Sequence, residues 1–595
     1  MKKENKKGKN YFLSILTILL CLFIFLRVWY DGISEPFINT LLVFYIFFLT
    51  IISYLYRKEK TENLPLMYMP FFFFVLFSFI SSGISQIKGS GITYNTNILS
   101  FFCLMILISK IEKQQVKYLI YTLLFSCFVL GIYGIHQYYW GFEMTRQIIF
   151  SNKEVLANLP PTFLARLESN RIFSRFVYPN VYASFLLTVL PLSFFATFEK
   201  NFYVKFFSWT TFFIAFYNLL LTGSIGGILI FIFIFHLIFL FLVLPEKKFV
   251  KITPFLTLFE IIFVIFIYKA GKLPHIHSFV DRLNYWKSSI NIFKESPILG
   301  VGPENFAFFF TKYKLPQSME AKHAHSLFFE TLVENGIIGT ILLFSFLFSV
   351  LSNIFIKKEK QKDFFLYGIG FAFLSLLIHN IIDFDFVDPS SSFLFFILAG
   401  ISIVLLNGNY RKVKLTLFPF YFTIILVCCS ITFIRYNLCI GNLEASKNID
   451  NYNLKLYFLE RAEKSYPFYN VYLYKGKVLC QMGIENNDEE LLKKGENSLK
   501  YSIYLNPYLV NAYRELSFLY QREGRIKESE KMYLKLIELY PNKKQFNLEV
   551  SIFYKSLKDE EKFKYFFEKS KHLFPVSVEE GIICNNYEKW IELQK

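Results

Sequence analysis

Long apolar stretches dominate the first three quarters of this chain, and they are nearly unbroken by polar residues. Apolar runs of about 17–22 residues, enough to cross a bilayer as helix, recur from residue 11 to residue 434. About thirteen can be drawn: 11–29, 38–56, 66–86, 94–109, 118–136, 180–198, 206–222, 226–244, 252–270, 337–356, 364–382, 392–406 and 415–434. The fourth and twelfth are short. After about residue 435 the pattern changes. Charge rises and apolar residues recur at helical spacing, the mark of amphipathic helices in water. The expected fold is therefore all-α: a polytopic membrane bundle over residues 11–434, preceded by a basic segment 1–10 and followed by a separate helical domain over 436–595.

Prolines punctuate that last domain at Pro467, Pro507, Pro541 and Pro575, and the last two intervals are both 34 residues (541 − 507 and 575 − 541). Side chains keep the same period: Tyr520 with Tyr554, and Tyr533 with Phe567. A 34-residue helix–turn–helix unit closed by Pro resembles the tetratricopeptide repeat. Within 507–541 the resemblance runs through Tyr513, Leu516, Tyr520, Gly524, Tyr533 and Pro541. The preceding unit keeps Gly476 and Gly483 but is lengthened near 485–494, and 436–467 reads as a degenerate first repeat. Each unit has an apolar face that only a neighbour can cover, so the repeats should stack. Such arrays imply a protein partner, the alternative being a packed spacer.

Charge orients the spans. Short basic loops follow the even-numbered crossings, at 57–60, 110–117, 200–205, 246–248, 357–362 and 411–414, whereas 30–37, 223–225 and 383–391 contain no Lys or Arg. The positive-inside rule then puts the N-terminus in the cytoplasm, and outside it two long loops, about 137–179 and 271–336, and the C-terminal repeats. Lys2 to Lys9 before the first run resemble a signal peptide. No small-residue cleavage site follows, so the first run is expected to stay as a helix. The net charge of +18 is partly accounted for by the basic loops and does not call for nucleic acid. The eight Cys residues show no paired spacing.

The outer loops carry the candidate chemistry. Arg282 alone reads as a solubilising residue and His325 alone as an ordinary loop histidine; their arrangement changes that. Arg282-Leu-x-x-Trp286, Pro297-Ile-Leu-Gly-Val-Gly-Pro-Glu-Asn-Phe306, His325-Ser326 and Glu334-Asn-Gly-Ile-Ile-Gly339 together resemble the O-antigen ligase/Wzy-type polymerase family, which also includes protein O-oligosaccharyltransferases. Arg171-Ile-Phe-Ser-Arg175-Phe-Val-Tyr-Pro179-Asn180 resembles a second family element, and His379-Asn-Ile-Ile-Asp383 a third. The resemblance covers roughly residues 10–410. Two positions depart from the pattern. Ser326 stands where the family usually has Asn, and Ile225 where it often has Arg, for which Arg175 is a candidate substitute.

The resemblance implies a GT-C-like glycosyltransferase in a bacterial inner membrane, working without metal or other cofactor in surface polysaccharide biosynthesis. The donor would be a glycan on polyprenyl diphosphate. The acceptor would be a hydroxyl of lipid A-core, of another glycan or of a protein. Arg171, Arg175 and Arg282 are the candidates for the diphosphate, since a guanidinium offers fork-shaped, charge-assisted hydrogen bonds. His325 is the candidate base, because an imidazole can take a hydroxyl proton near neutral pH. Glu334, His379 and Asp383 are candidate supports: His379 and Asp383 as an i, i+4 pair, Glu334 as a helix cap or as the orienter of His325.

Three rival readings follow from the residues. His275, His277, His323 and His325 could together hold a metal. A flippase for the same lipid-linked glycan would need ionisable groups in mid-membrane, which the runs nearly lack. A scaffold with active repeats alone would not need the Arg/His loop. Removing 436–595 is expected to alter partner or acceptor choice and leave residual chemistry.

Overall fold

A computed structural model describes residues 2–31, 35–57, 60–152, 167–245, 276–316, 318–356, 363–573 and 578–593, with a few isolated positions between them. In chain order its helices are α1 (Lys2–Trp29), α2 (Pro36–Arg57), α3 (Met69–Ile84), α4 (Ile92–Ile108), α5 (Lys113–His136), α6 (Phe142–Ser151), α7 (Pro179–Ala196), α8 (Phe202–Leu221), α9 (Ile225–Val243), α10 (Ile276–Phe293), α11 (Phe306–Tyr313), α12 (Leu327–Phe355), α13 (Phe364–Ile382), α14 (Pro389–Leu405) and α15 (Phe418–Lys447). Then come α16 (Tyr452–Ser465), α17 (Tyr469–Asn486), α18 (Glu489–Leu505), α19 (Val510–Arg522), α20 (Ile526–Leu539), α21 (Lys544–Ser556), α22 (Glu560–Lys571) and α23 (Val578–Leu593).

Ten of these helices are long and apolar enough to cross a membrane, and α4 and α14 are shorter apolar helices. Together they account for twelve of the thirteen expected runs; 252–270 falls almost wholly outside the described residues. The two short runs have a physical reason. Every residue of α14, and α4 from Asn95 onward, is buried by protein, so neither has to present a long apolar face to lipid. The chain is a polytopic helical membrane protein. One departure from all-α is a two-stranded antiparallel ribbon, β1 (Thr61–Pro65) with β2 (Lys412–Thr416), pairing Thr61 with Thr416. It ties two of the basic loops together. Lys110 meets Glu62 at 3.0 Å, Lys113 meets Asp363 at 2.8 Å, and Lys117 pairs with Glu199, so the 110–117 loop, the ribbon and the neighbours of two further helix ends meet at one end of the bundle.

α15 runs unbroken from the bilayer-crossing region into the C-terminal helices. There α17 packs on α18, α19 on α20 and α21 on α22. Pro467, Pro507, Pro541 and Pro575 each fall at a junction between pairs. The expected lengthening near 485–494 appears as longer helices, 18 and 17 residues in α17 and α18 against 13 and 14 in α19 and α20. One contact repeats with the sequence period: Tyr520 donates to Glu496 at 2.8 Å, and Tyr554 donates to Glu530 at 2.9 Å.

These helices share a core with the 276–333 segment. Ile87, Tyr285, Phe306, Phe309, Phe310 and Val333 are buried in one apolar cluster with Leu459, Leu505, Leu516 and Tyr520. Polar contacts close the seam. Thr311 donates to the Leu539 carbonyl at 3.1 Å, Asn542 to the Lys314 carbonyl at 2.6 Å, and Lys543 meets Glu320 at 3.1 Å.

Candidate functional site

The glycine-rich run 297–303 turns out to be scaffold. It lies against the first part of α12, where Gly336 breaks the helix with φ 62° and ψ −170°. Backbone amides cross this contact: Val301 donates to Val333 O at 2.9 Å, Gly302 to Glu334 O at 2.9 Å, and Ile337 to Pro297 O at 2.9 Å. A Cβ on Gly336 would stand 2.4 Å from the Ile298 carbonyl oxygen, and one on Gly300 2.3 Å from that of Glu334. Only glycine allows the two segments so close. Gly336→Ala is therefore expected to lower the unfolding temperature of the purified protein, with a backbone cost of roughly 1–3 kcal/mol before the clash is counted. An unchanged melting profile would contradict this account of the motif. Glu304 holds the same loop to α4, accepting from Gly91 N at 3.1 Å and Tyr94 N at 3.2 Å, and burial raises its pKa.

The candidate chemistry gathers instead on Asp383, which is buried just past the end of α13. Its Oδ2 accepts from Arg282 Nη2 at 3.0 Å and from Asn180 Nδ2 at 2.8 Å. Its Oδ1 accepts from the Phe384 amide at 2.9 Å and lies 3.5 Å from His325 Nδ1. That last distance is ion-pair range rather than a formed hydrogen bond, and His325 Nδ1 is a buried atom without a hydrogen-bond partner among the described residues. Arg171 joins through Asn180, donating Nη2 to its Oδ1 at 2.9 Å, and donates Nε to the Thr222 carbonyl at 2.8 Å. Burial works against the Asp383 charge. The His325 imidazole and the charges of Arg282 and His379 outweigh it and hold the carboxyl well below the usual carboxylate range. Burial also lowers the Arg171 pKa, against which Asp383 helps to keep its proton.

His325 is fixed by its backbone and by ring contacts. Its φ of 51° is left-handed. Its ring stacks on Tyr285 at 5.5 Å and meets Phe384 edge-on at 4.4 Å. Glu330, in the first turn of α12, anchors the loop: its carboxylate takes the Ala324 amide at 2.5 Å and His323 Nδ1 at 2.9 Å.

Several sequence expectations are redistributed. His379 does not pair with Asp383; it meets Asp385 at 2.5 Å. The helix ends at Ile382 and Asp383 is extended, so the i, i+4 geometry is lost and the chain turns Asp385 back onto the ring. Glu334 accepts from the Phe306 amide at 3.2 Å, at the start of α11, while Glu330 is the carboxylate beside the histidines. Arg175 is not brought to Arg171 and Arg282. It pairs with Glu35 at 3.3 Å and stands over the Trp29 ring. The arginine lying across the 222–226 turn is Arg171, which packs against Gly223. His275 and His277 have side chains outside the described residues. Asn180 and Glu330 were the residues missed. Asn180 was visible as the Pro179-Asn180 pair, and Glu330 as an acid in the first turn after His325.

The class defined here is a multi-pass helical membrane protein with a buried carboxylate between two arginines and a histidine at one end of its bundle. Residues 210–344 match the family model described as O-Antigen ligase. The match begins inside α8 and ends inside α12. It covers Arg282, His325 and Glu334, whereas Arg171, Asn180 and Asp383 lie outside it. No curated protein shows a significant match to the chain.

Proposed function

We propose that this chain transfers a glycan from polyprenyl diphosphate to an acceptor hydroxyl at the outer face of a bacterial inner membrane, in the manner of an O-antigen ligase. The O-antigen ligase match supports a part in surface polysaccharide biosynthesis, a lipid-linked donor and a membrane setting. The observation that carries the mechanism is Asp383, one buried carboxylate facing Arg282, Asn180 and His325 within 2.8–3.5 Å. Arg282 and Arg171 would hold the diphosphate as negative charge grows on the leaving group; charge-assisted guanidinium bonds strengthen in that step. His325, held by Tyr285 and Phe384 with Nδ1 3.5 Å from Asp383, would take the acceptor proton with its other ring nitrogen. Asp383 would stabilise the resulting imidazolium. The step needs no metal in this reading.

Positive-inside charge supports a cytoplasmic N-terminus and an outer position for this site and the C-terminal helices. The proline junctions and the recurring Tyr–Glu contact support reading those helices as tetratricopeptide repeats. Lipid A-core, glycan and protein hydroxyls all fit the proposed chemistry as acceptors.

Donor binding tests the arrangement. Arg282→Ala is expected to weaken binding of sugar-free polyprenyl diphosphate by roughly 10- to 150-fold, the equivalent of a lost hydrogen bond to a charged group. Undiminished affinity in this variant, measured by calorimetry on purified protein, would remove Arg282 from the diphosphate site and the mechanism with it.

A further inference from the structure

A polar cleft lies at the same end of the bundle as Asp383. It is a cleft of about 380 Å³ between the end of α1, the end of α5, α6 and the 173–176 segment. Its polar groups include Asp31, Glu35, His136, Gln137, Thr145 and Arg175. One wall is held rigidly. Gln137 Oε1 accepts from Phe173 N at 3.0 Å and from Ser174 N at 2.9 Å, and Ser174, at a left-handed φ of 51°, donates its hydroxyl to Leu130 O at 2.9 Å. The Arg175 guanidinium lies 5.7 Å above the Trp29 ring, and its Nε is buried with no hydrogen-bond partner among the described residues. Tyr133 also lines the cleft and stacks on His136 at 6.4 Å.

We propose that this cleft binds a short, uncharged stretch of the saccharide being handled, and that Arg175 serves sugar hydroxyls there rather than the diphosphate. The proposal rests on the transferase reading above. Two carboxylates, Asp31 and Glu35, share the cleft with one arginine, so a diphosphate would meet like charge. A neutral sugar does not. Its hydroxyls donate to the carboxylates and accept from the guanidinium, while its apolar faces lie on aromatic rings. The volume falls within the ~300–1,000 Å³ typical of small-ligand clefts. Position supports the same view. The 171–180 segment carries Arg175 at the cleft and Arg171 and Asn180 at Asp383, and Tyr178 packs on Phe384 at 5.6 Å. A saccharide seated on Arg175 would therefore lie one short loop from the reacting diphosphate.

The test uses the purified full chain in lipid nanodiscs, with two probes titrated by calorimetry. One is a neutral oligosaccharide of a few rings, released by mild acid from the surface glycan of the cells that make this chain. The other is sugar-free polyprenyl diphosphate. Glu35→Ala, and Thr145→Trp, which fills the cleft from α6, should each weaken the oligosaccharide by about tenfold or more and leave polyprenyl diphosphate unchanged. If Glu35→Ala fails to fold, Thr145→Trp decides. The proposal is overturned if the wild type binds no oligosaccharide, if the variants bind it as the wild type does, or if they lose the diphosphate probe instead. Failure of the transferase reading looks different: Arg282→Ala would keep full diphosphate affinity while the oligosaccharide results stood. Donor and acceptor glycan are separated by which KM rises in Thr145→Trp.

Discussion

His325→Ala is expected to lower the rate of glycan transfer by about 10²–10⁴-fold, the usual worth of a positioned general base. The loss should fall on turnover, because Arg171 and Arg282, positioned by Asn180 and Asp383, remain to hold the donor. Geometry makes the histidine difficult to replace. Its ring is held between Tyr285 and Phe384 and is aimed at Asp383 by a left-handed backbone. That backbone also calls for a control, since Ala at positive φ carries a strain of its own of roughly 1–2 kcal/mol. His325→Asn tolerates the conformation better and cannot serve as the base. Initial rates with purified protein and lipid-linked donor should be low for both variants while both bind donor. A near-normal rate in the Asn variant would remove the proton-transfer role.

Removal of residues 436–595 is expected to abolish transfer, not to leave residual chemistry with altered partner choice. The reason is the shared core. Phe306, Phe309 and Phe310, between the glycine run and the histidines, are buried together with Leu505, Leu516 and Tyr520 of the C-terminal helices. Without those helices several large apolar side chains would face water, at about 1.5–3 kcal/mol each. The 304–326 segment that carries His323 and His325 would lose its support. Cells producing the truncated chain at the wild-type membrane level should make no transferred glycan, and protease should cut the purified truncated chain within 304–326. Full transfer by the truncated chain would show that the helices are an independent module. A milder version is Lys543→Glu. This side chain meets Glu320 at 3.1 Å and Glu580 at 3.2 Å, and reversal would set three carboxylates together.

What the sequence made legible follows from what is local. Span limits could be read because length and apolarity are properties of consecutive residues, and α13 begins and ends where its run does, at 364 and 382. Pair junctions in the C-terminal helices could be read because proline stops helices locally. Arg282 and His325 stood out through motif resemblance, but their common partner is 101 residues from Arg282, a distance no spacing rule crosses. Asp383 was identified and given the wrong neighbour, because an i, i+4 pairing assumes a helix that stops one residue earlier. The glycine run carried part of the family resemblance, and in the structure it packs on α12. Arg175 stood four residues from Arg171 in sequence, yet the turn at Ser174 sends it toward Glu35. The β1–β2 ribbon was hidden because its strands lie about 350 residues apart in the chain and only β2, Lys412–Thr416, alternates polar and apolar residues, over too few positions to stand out.

The central claim is that one carboxylate organises both halves of the reaction, and Asp383→Asn tests it most directly. The side chain keeps its size and loses its charge. Donor affinity and turnover would be measured side by side on the purified variant in lipid, with lipid-linked glycan and acceptor. The account predicts that turnover falls and donor affinity changes, because the imidazolium at His325 loses its stabiliser and Arg282 loses the carboxylate that positions it. Wild-type donor affinity together with wild-type turnover would contradict it.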